Sequence, residues 1–187
     1  MTTGESARHG AGGVEAARPR LPGLDEPALV LLIGASGSGK STLAGRHYPA
    51  SQTVSLDALR AVVSDDECDQ SATADAVGLL TAIVAARLAR GLTTVVDATN
   101  GVPAERASLL ALAAAHGMPV AAVVVDTDLD LCLARQRSRA GPLPGRRWGR
   151  AVPDSVVRNQ HARARASLAA LPGEGVATVL HLTGPGP

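Results

Sequence analysis

The chain has 187 residues, 45% of them apolar, and a formal net charge of +1, which supports one domain with a full core and little besides. No apolar run approaches the ~18 residues of a membrane span, and the opening segment lacks the charged-then-apolar order of a secretory signal. Two distant cysteines, Cys68 and Cys132, without CxxC spacing, argue against a zinc site or disulfide scaffold and for a reducing, cytoplasmic setting.

Residues 1–27 are rich in Gly, Ala, Arg and Pro without a period and read as a disordered tail. A folded domain is expected over 28–183, with a short tail at 184–187. Residues 28–33 form a continuous apolar run, as a strand buried on both faces requires. Comparable runs lie at 93–96 and 120–125, and weaker ones at 53–55 and 176–182. Between them, helices are expected at 40–47, 57–63, 72–90, 103–116, 128–139 and 153–171. Pro103 and Pro153 sit where a first helical turn tolerates proline. Gly91 and Gly117 follow helices as terminating residues do. Strand alternating with helix predicts an α/β fold with a parallel sheet and right-handed crossovers.

The first strand runs into Gly34-Ala-Ser-Gly-Ser-Gly-Lys-Ser41, which fits G-x-x-x-x-G-K-[ST] between a buried strand and a helix. Gly34, Gly37 and Gly39 let the backbone wrap a phosphate with its N–H groups turned inward. Ser36, Ser38 and Thr42 complete that nucleotide-binding run. The next helix adds its positive end. Lys40, the single lysine of the chain, reaches the β- and γ-phosphates of a nucleotide, and the Ser41 hydroxyl ligates Mg²⁺. ATP and Mg²⁺ are therefore the expected cofactors.

Asp57 and Arg60 follow the second strand, at whose carboxyl end ligands bind in open α/β sheets. Asp57 is a candidate general base for an attacking hydroxyl. Arg60, three residues on, is a candidate for gripping phosphate. The competing reading makes Asp57 a helix N-cap and Arg60 a surface residue. Asp97 ends an apolar strand and is a candidate Mg²⁺ partner, or else a turn-forming residue. Thr99 and Asn100 are candidates for phosphate contacts or caps. The acidic run Ser64–Gln70 lacks calcium-loop spacing and reads as a polar loop that caps the helix from Ser71 and borders the acceptor channel.

Between Arg135 and Arg165 lie nine arginines and one acid, Asp154, a block that calls for anionic ligands. Arg135 and Arg139 share a helix face. A Gly- and Pro-rich stretch and Arg146, Arg147 and Arg150 follow, the layout of a mobile lid over about 136–155. Arg146, Arg147, Arg163 and Arg165 read as solvated charges. Trp148 reads as a lid anchor rather than a base-stacking ring.

The motifs Gly34–Thr42, Ser55-Leu-Asp57-x-x-Arg60, Val63–Gln70, Val95-Val-Asp-Ala-Thr-Asn100 and Arg135-x-x-x-Arg139, in this order, resemble the polynucleotide 5′-kinase family, especially the kinase module of bacterial RNA end-healing and repair enzymes. The resemblance runs from about Ala28 to Leu171. It implies the P-loop kinase fold, with about five parallel strands, flanking helices and an Arg-rich helical lid. It implies transfer of the ATP γ-phosphate to a 5′-hydroxyl of RNA or DNA. It implies Asp57 as general base, Arg60 on the acceptor phosphate, Lys40 and Ser41 on nucleotide and metal, and Arg135 and Arg139 on ATP. Cys68 and the long stretch from Ala140 to Arg150 depart from the family's usual pattern, and the family's frequent fusion to a phosphatase or ligase module is not expected here. Two alternatives remain: a P-loop kinase of a small-molecule hydroxyl (sugar, nucleoside or antibiotic), which the scarcity of aromatics favours, and a nucleotide-dependent binding module.

Overall fold

The computed structural model describes Pro19 and residues 21–139 and 152–184. Trp148, Arg146, Arg147, Arg150 and the rest of the expected lid loop lie outside the described residues, as do residues 1–18. Five strands alternate with helices: β1 (Leu29–Ile33), α1 (Lys40–His47), β2 (Thr53–Ser55), α2 (Leu56–Ser64), α3 (Thr73–Leu88), β3 (Thr94–Asp97), α4 (Pro103–Ala115), β4 (Val120–Thr127), α5 (Leu129–Ser138), α6 (Asp154–Ala170) and β5 (Thr178–Gly184). All strand pairs are parallel, in the order β2-β3-β1-β4-β5. Among the described residues, no helix is long and apolar enough to cross a membrane.

The period of two along β1 divides the core. Leu29, Leu31 and Ile33 face a cluster with Leu80 and Val84 of α3, Leu109 of α4 and Ala164 of α6. Val30 and Leu32 face the other side, with Leu43 and Ala44 of α1 and with Tyr48. Such a strand must be apolar at every position, which is why its sequence does not alternate. Each fully buried Leu or Val side chain contributes roughly 1.5–3 kcal/mol.

Three expectations need correction. Leu21 is buried at 6% exposure and joins the cluster beneath Val30, so the segment before Ala28 contributes to the core and the tail reading to residue 27 extends too far. The α2 N-cap is Ser55, whose Oγ accepts from the Ala58 amide at 3.4 Å; Asp57 lies inside the first turn and caps nothing. α3 begins at Thr73 rather than Ser71, because Asp69 Oδ1 accepts from the amide and hydroxyl of Ser71 and holds that residue in a turn. Gly91 and Gly117 have φ of 65° and 61°, the left-handed conformation expected where helices stop.

Candidate active site

The loop from Gly34 to Gly39 joins the central strand β1 to α1. Its glycines are sterically required. A Cβ on Gly37 would stand 2.6 Å from the Cys132 carbonyl oxygen, and one on Gly34 would stand 2.8 Å from the Val125 carbonyl oxygen. Gly37 and Gly39 have φ of 86° and 103°. The loop is pinned by Gly34 N–H donating to Thr99 O at 3.2 Å and by Thr127 Oγ1 donating to Ser38 O at 2.7 Å. The Ser38 hydroxyl is buried and without a hydrogen-bond partner. A polar atom stranded in a glycine-lined turn at the head of a helix is the setting that a bound phosphate completes.

Lys40 is buried, and its Nζ donates to Gly34 O at 2.9 Å and Ala35 O at 2.8 Å. Burial lowers its pKa from the ordinary lysine value; Asp97 and Asp57 oppose that shift. Asp97, at the end of β3, is pushed above the usual carboxylate range by burial, against the Ser41 hydroxyl hydrogen bond and the charge of Lys40. Lys40, Ser41 and Asp97 thus form one contiguous group. A hydroxyl bonded to a carboxylate is a hard-oxygen donor pair of the kind Mg²⁺ takes, so the residues present fit that ion.

Across the cleft, Arg60 is buried at 3% exposure and pairs with Asp57, whose side chain is 56% exposed. Arg60 Nε also donates to Glu67 O at 3.0 Å. Arg60 is therefore not the surface residue of the competing reading. A single cleft of about 990 Å³ runs from Ser36, Gly37, Lys40, Ser41 and Thr42 to Asp57, Arg60, Glu67 and Gln70, with Asp97 between. The acidic loop does border it, through Glu67 and Gln70.

Other sequence candidates take supporting places. The Asn100 side-chain amide donates to Leu32 O at 2.8 Å and Val96 O at 3.4 Å, tying β1 to the end of β3, and the residue lines the cleft. Arg139 lines the cleft. Arg135 Nη1 donates to Gly37 O at 3.2 Å.

Sequence reasoning missed two residues. Arg106 is fully buried. It donates to Asn100 O at 2.6 Å, to the Ser167 hydroxyl at 3.2 Å and, from Nε and Nη2, to Glu174 at 2.8 and 2.5 Å. Its signal was a charge on the stripe Arg106, Leu109, Ala113 of α4. Gln160 of α6 accepts from the Ser36 amide at 2.9 Å; nothing in its local sequence marks it.

A glycine loop after the central strand, a lysine and serine at the head of the next helix, and an acid on the neighbouring strand define a P-loop, kinase-like α/β protein, and the solved structures agree. One neighbour is the Pnkp1/Rnl/Hen1 RNA repair complex, with 22% identity, a TM-score of 0.62 and coverage of 75% of this chain but only 45% of that one. A candidate kinase of Chloroflexus aurantiacus matches at 18% identity and TM-score 0.59 over 85% of this chain and 89% of its own. The AvrRxo1-ORF1:-ORF2 complex with ATP matches at 18% identity and TM-score 0.58, over 79% and 50%. Residues 29–170 match the family model AAA_33, described as an AAA domain. That is most of the chain, which belongs to this family. No curated protein matches it.

Proposed function

We propose that the protein is an ATP- and Mg²⁺-dependent phosphotransferase acting on a hydroxyl group, with the 5′-hydroxyl end of RNA or DNA as acceptor. One observation carries the transfer reading: Asp57, paired with the buried Arg60, opens into the same cleft as Lys40 and the Ser41–Asp97 pair.

The loop amides and Lys40 would hold the β- and γ-phosphates, with Ser41 and Asp97 available to Mg²⁺, which neutralises phosphate charge when bound. Asp57 would accept the acceptor's hydroxyl proton as the hydroxyl oxygen bonds to the γ-phosphorus. The bond from that phosphorus to the β,γ-bridging oxygen breaks, and ADP leaves with its electron pair. Arg60 would orient Asp57 and sit beside the acceptor's own phosphate. The motif order from Gly34 to Arg139 supports the polynucleotide acceptor.

A second reading, a small hydroxylated metabolite as acceptor, draws on the charge of the cleft. Among its described lining residues the cations are Lys40, Arg60 and Arg139, and the carboxylates are Asp57, Glu67, Asp97 and Glu105. That leaves little positive charge for a polyanionic backbone. Radiolabelled ATP offered with 5′-hydroxyl RNA, 5′-hydroxyl DNA and a panel of sugars, nucleosides and aminated polyols separates the two. Label on an oligonucleotide supports the first, and label only on a metabolite supports the second. ATP binding with no labelled product rejects both in favour of a nucleotide-dependent binding module.

A further inference from the structure

Three consecutive residues of the phosphate loop are held from outside it. Thr127 Oγ1 donates to Ser38 O at 2.7 Å, Arg135 Nη1 donates to Gly37 O at 3.2 Å, and Gln160 Oε1 accepts from Ser36 N at 2.9 Å. The first two bonds use carbonyls, which a phosphate, itself an acceptor, does not need. The third uses an N–H, the group by which such a loop grips phosphate. A phosphate oxygen at Ser36 must displace the Gln160 oxygen.

The position of Ser36 indicates which phosphate. Lys40 Nζ rests on Gly34 O and Ala35 O, at the entrance of the loop beside Ser36. The lysine of this motif serves the β- and γ-phosphates. The Ser36 amide therefore belongs to the terminal-phosphate end of the cradle, away from the α1 amides. Gln160 differs from a carboxylate in having a second face: rotated, its NH₂ donates. The helix behind it is fixed. His161 Nε2 donates to Thr127 O at 3.1 Å, and Asp126 lies 3.4 Å from Arg165 and 3.6 Å from His161. The exchange is thereby confined to one side chain.

We propose that Gln160 reads the terminal phosphate of the bound nucleotide: its oxygen holds the Ser36 amide when no γ-phosphate is present, and its amide nitrogen donates to that phosphate when one is. This rests on the reading of the loop as an ATP cradle. It makes Gln160 a specificity-determining residue for triphosphate over diphosphate.

The test is calorimetric titration of the full chain with Mg²⁺-ATP and Mg²⁺-ADP, for wild type, Gln160→Glu and Gln160→Leu. Gln160→Glu keeps the acceptor on Ser36, supplies no donor and adds a like charge. Its ATP affinity should fall at least about tenfold while ADP affinity stays within about twofold. Gln160→Leu should fall between the two, with its ATP loss again exceeding its ADP loss. Thermal melts confirm folding, and the near-isosteric Glu variant carries the test if the Leu variant melts early. Parallel changes for both nucleotides, or none for either, overturn the proposal. The readout needs no acceptor. Selective ATP loss without any phosphorylated product keeps the proposal and rejects the transfer reading. Active transfer with parallel ATP and ADP changes does the reverse.

Discussion

Arg60 binds the carboxylate of Asp57 from one turn further along α2, and its Nε donates to the Glu67 carbonyl at 3.0 Å. One buried guanidinium therefore holds both the candidate base and the acidic loop that borders the cleft. Because Arg60 belongs to α2 and Glu67 to the segment after it, the candidate base and the loop beside it are positioned as a unit.

Asp57→Asn keeps the shape of that unit and removes the proton acceptor. Transfer should fall by about 10²–10⁴-fold, with ATP affinity within about threefold of wild type. Single-turnover transfer and nucleotide titration check the pair. Equal losses in both would assign Asp57 to holding the cleft open rather than to the reaction.

Asp97 gives a pH signature. Burial raises its pKa above 3.8, so the folded chain keeps the proton to higher pH than the unfolded chain does. Between 3.8 and the raised value the folded state binds more protons, and this residue's contribution to stability declines as pH climbs. Asp97→Asn should abolish that decline in urea titrations run at a series of pH values. Wild-type affinity for Mg²⁺-ATP should weaken as pH is lowered into the same window, because the metal takes the ionised carboxylate. Matching pH slopes for wild type and variant would contradict both expectations.

Gly37→Ala places a Cβ 2.6 Å from the Cys132 carbonyl at a φ of +86°. The strain is on the order of 1–3 kcal/mol, and nucleotide binding should be lost with it. Gly45→Ala, in α1 with open space around its Cβ, should instead stabilise by up to ~1 kcal/mol. Thermal melts of the two variants should shift in opposite directions.

Arg106→Met leaves Glu174, 16% exposed, without the guanidinium it binds. Removing one partner of such a pair costs roughly 3–5 kcal/mol. Adding Glu174→Gln should restore part of that, a coupling that a double-mutant cycle in urea measures. Transfer should fall alongside stability, because Arg106 also holds the carbonyl of Asn100 beside the phosphate loop.

The strands were legible because a parallel sheet covered on both faces needs uninterrupted apolar runs, and 28–33, 93–96 and 120–125 are such runs. The cradle was legible because its glycines, lysine and serine act within one turn of chain. Asp57 and Arg60 were legible for the same reason, three residues apart on a helix. Gln160 was not: it meets Ser36 across 124 residues, and only the docking of α6 on the loop creates the contact. Arg106 was missed because its partners Ser167 and Glu174 lie 61 and 68 residues away. The stretch before Ala28 was misjudged because two leucines among glycines and prolines show no period, although Leu21 and Leu24 both pack against the core.

The strand order has a thermal consequence. The glycine loop grows from β1, in the middle of the sheet with all five residues buried, whereas Asp57 follows β2, an edge strand of three residues. Edge elements open at lower free-energy cost than central ones. Warming should therefore loosen the Asp57 side of the cleft first, so that, on the proposed function, nucleotide binding would outlast phosphate transfer.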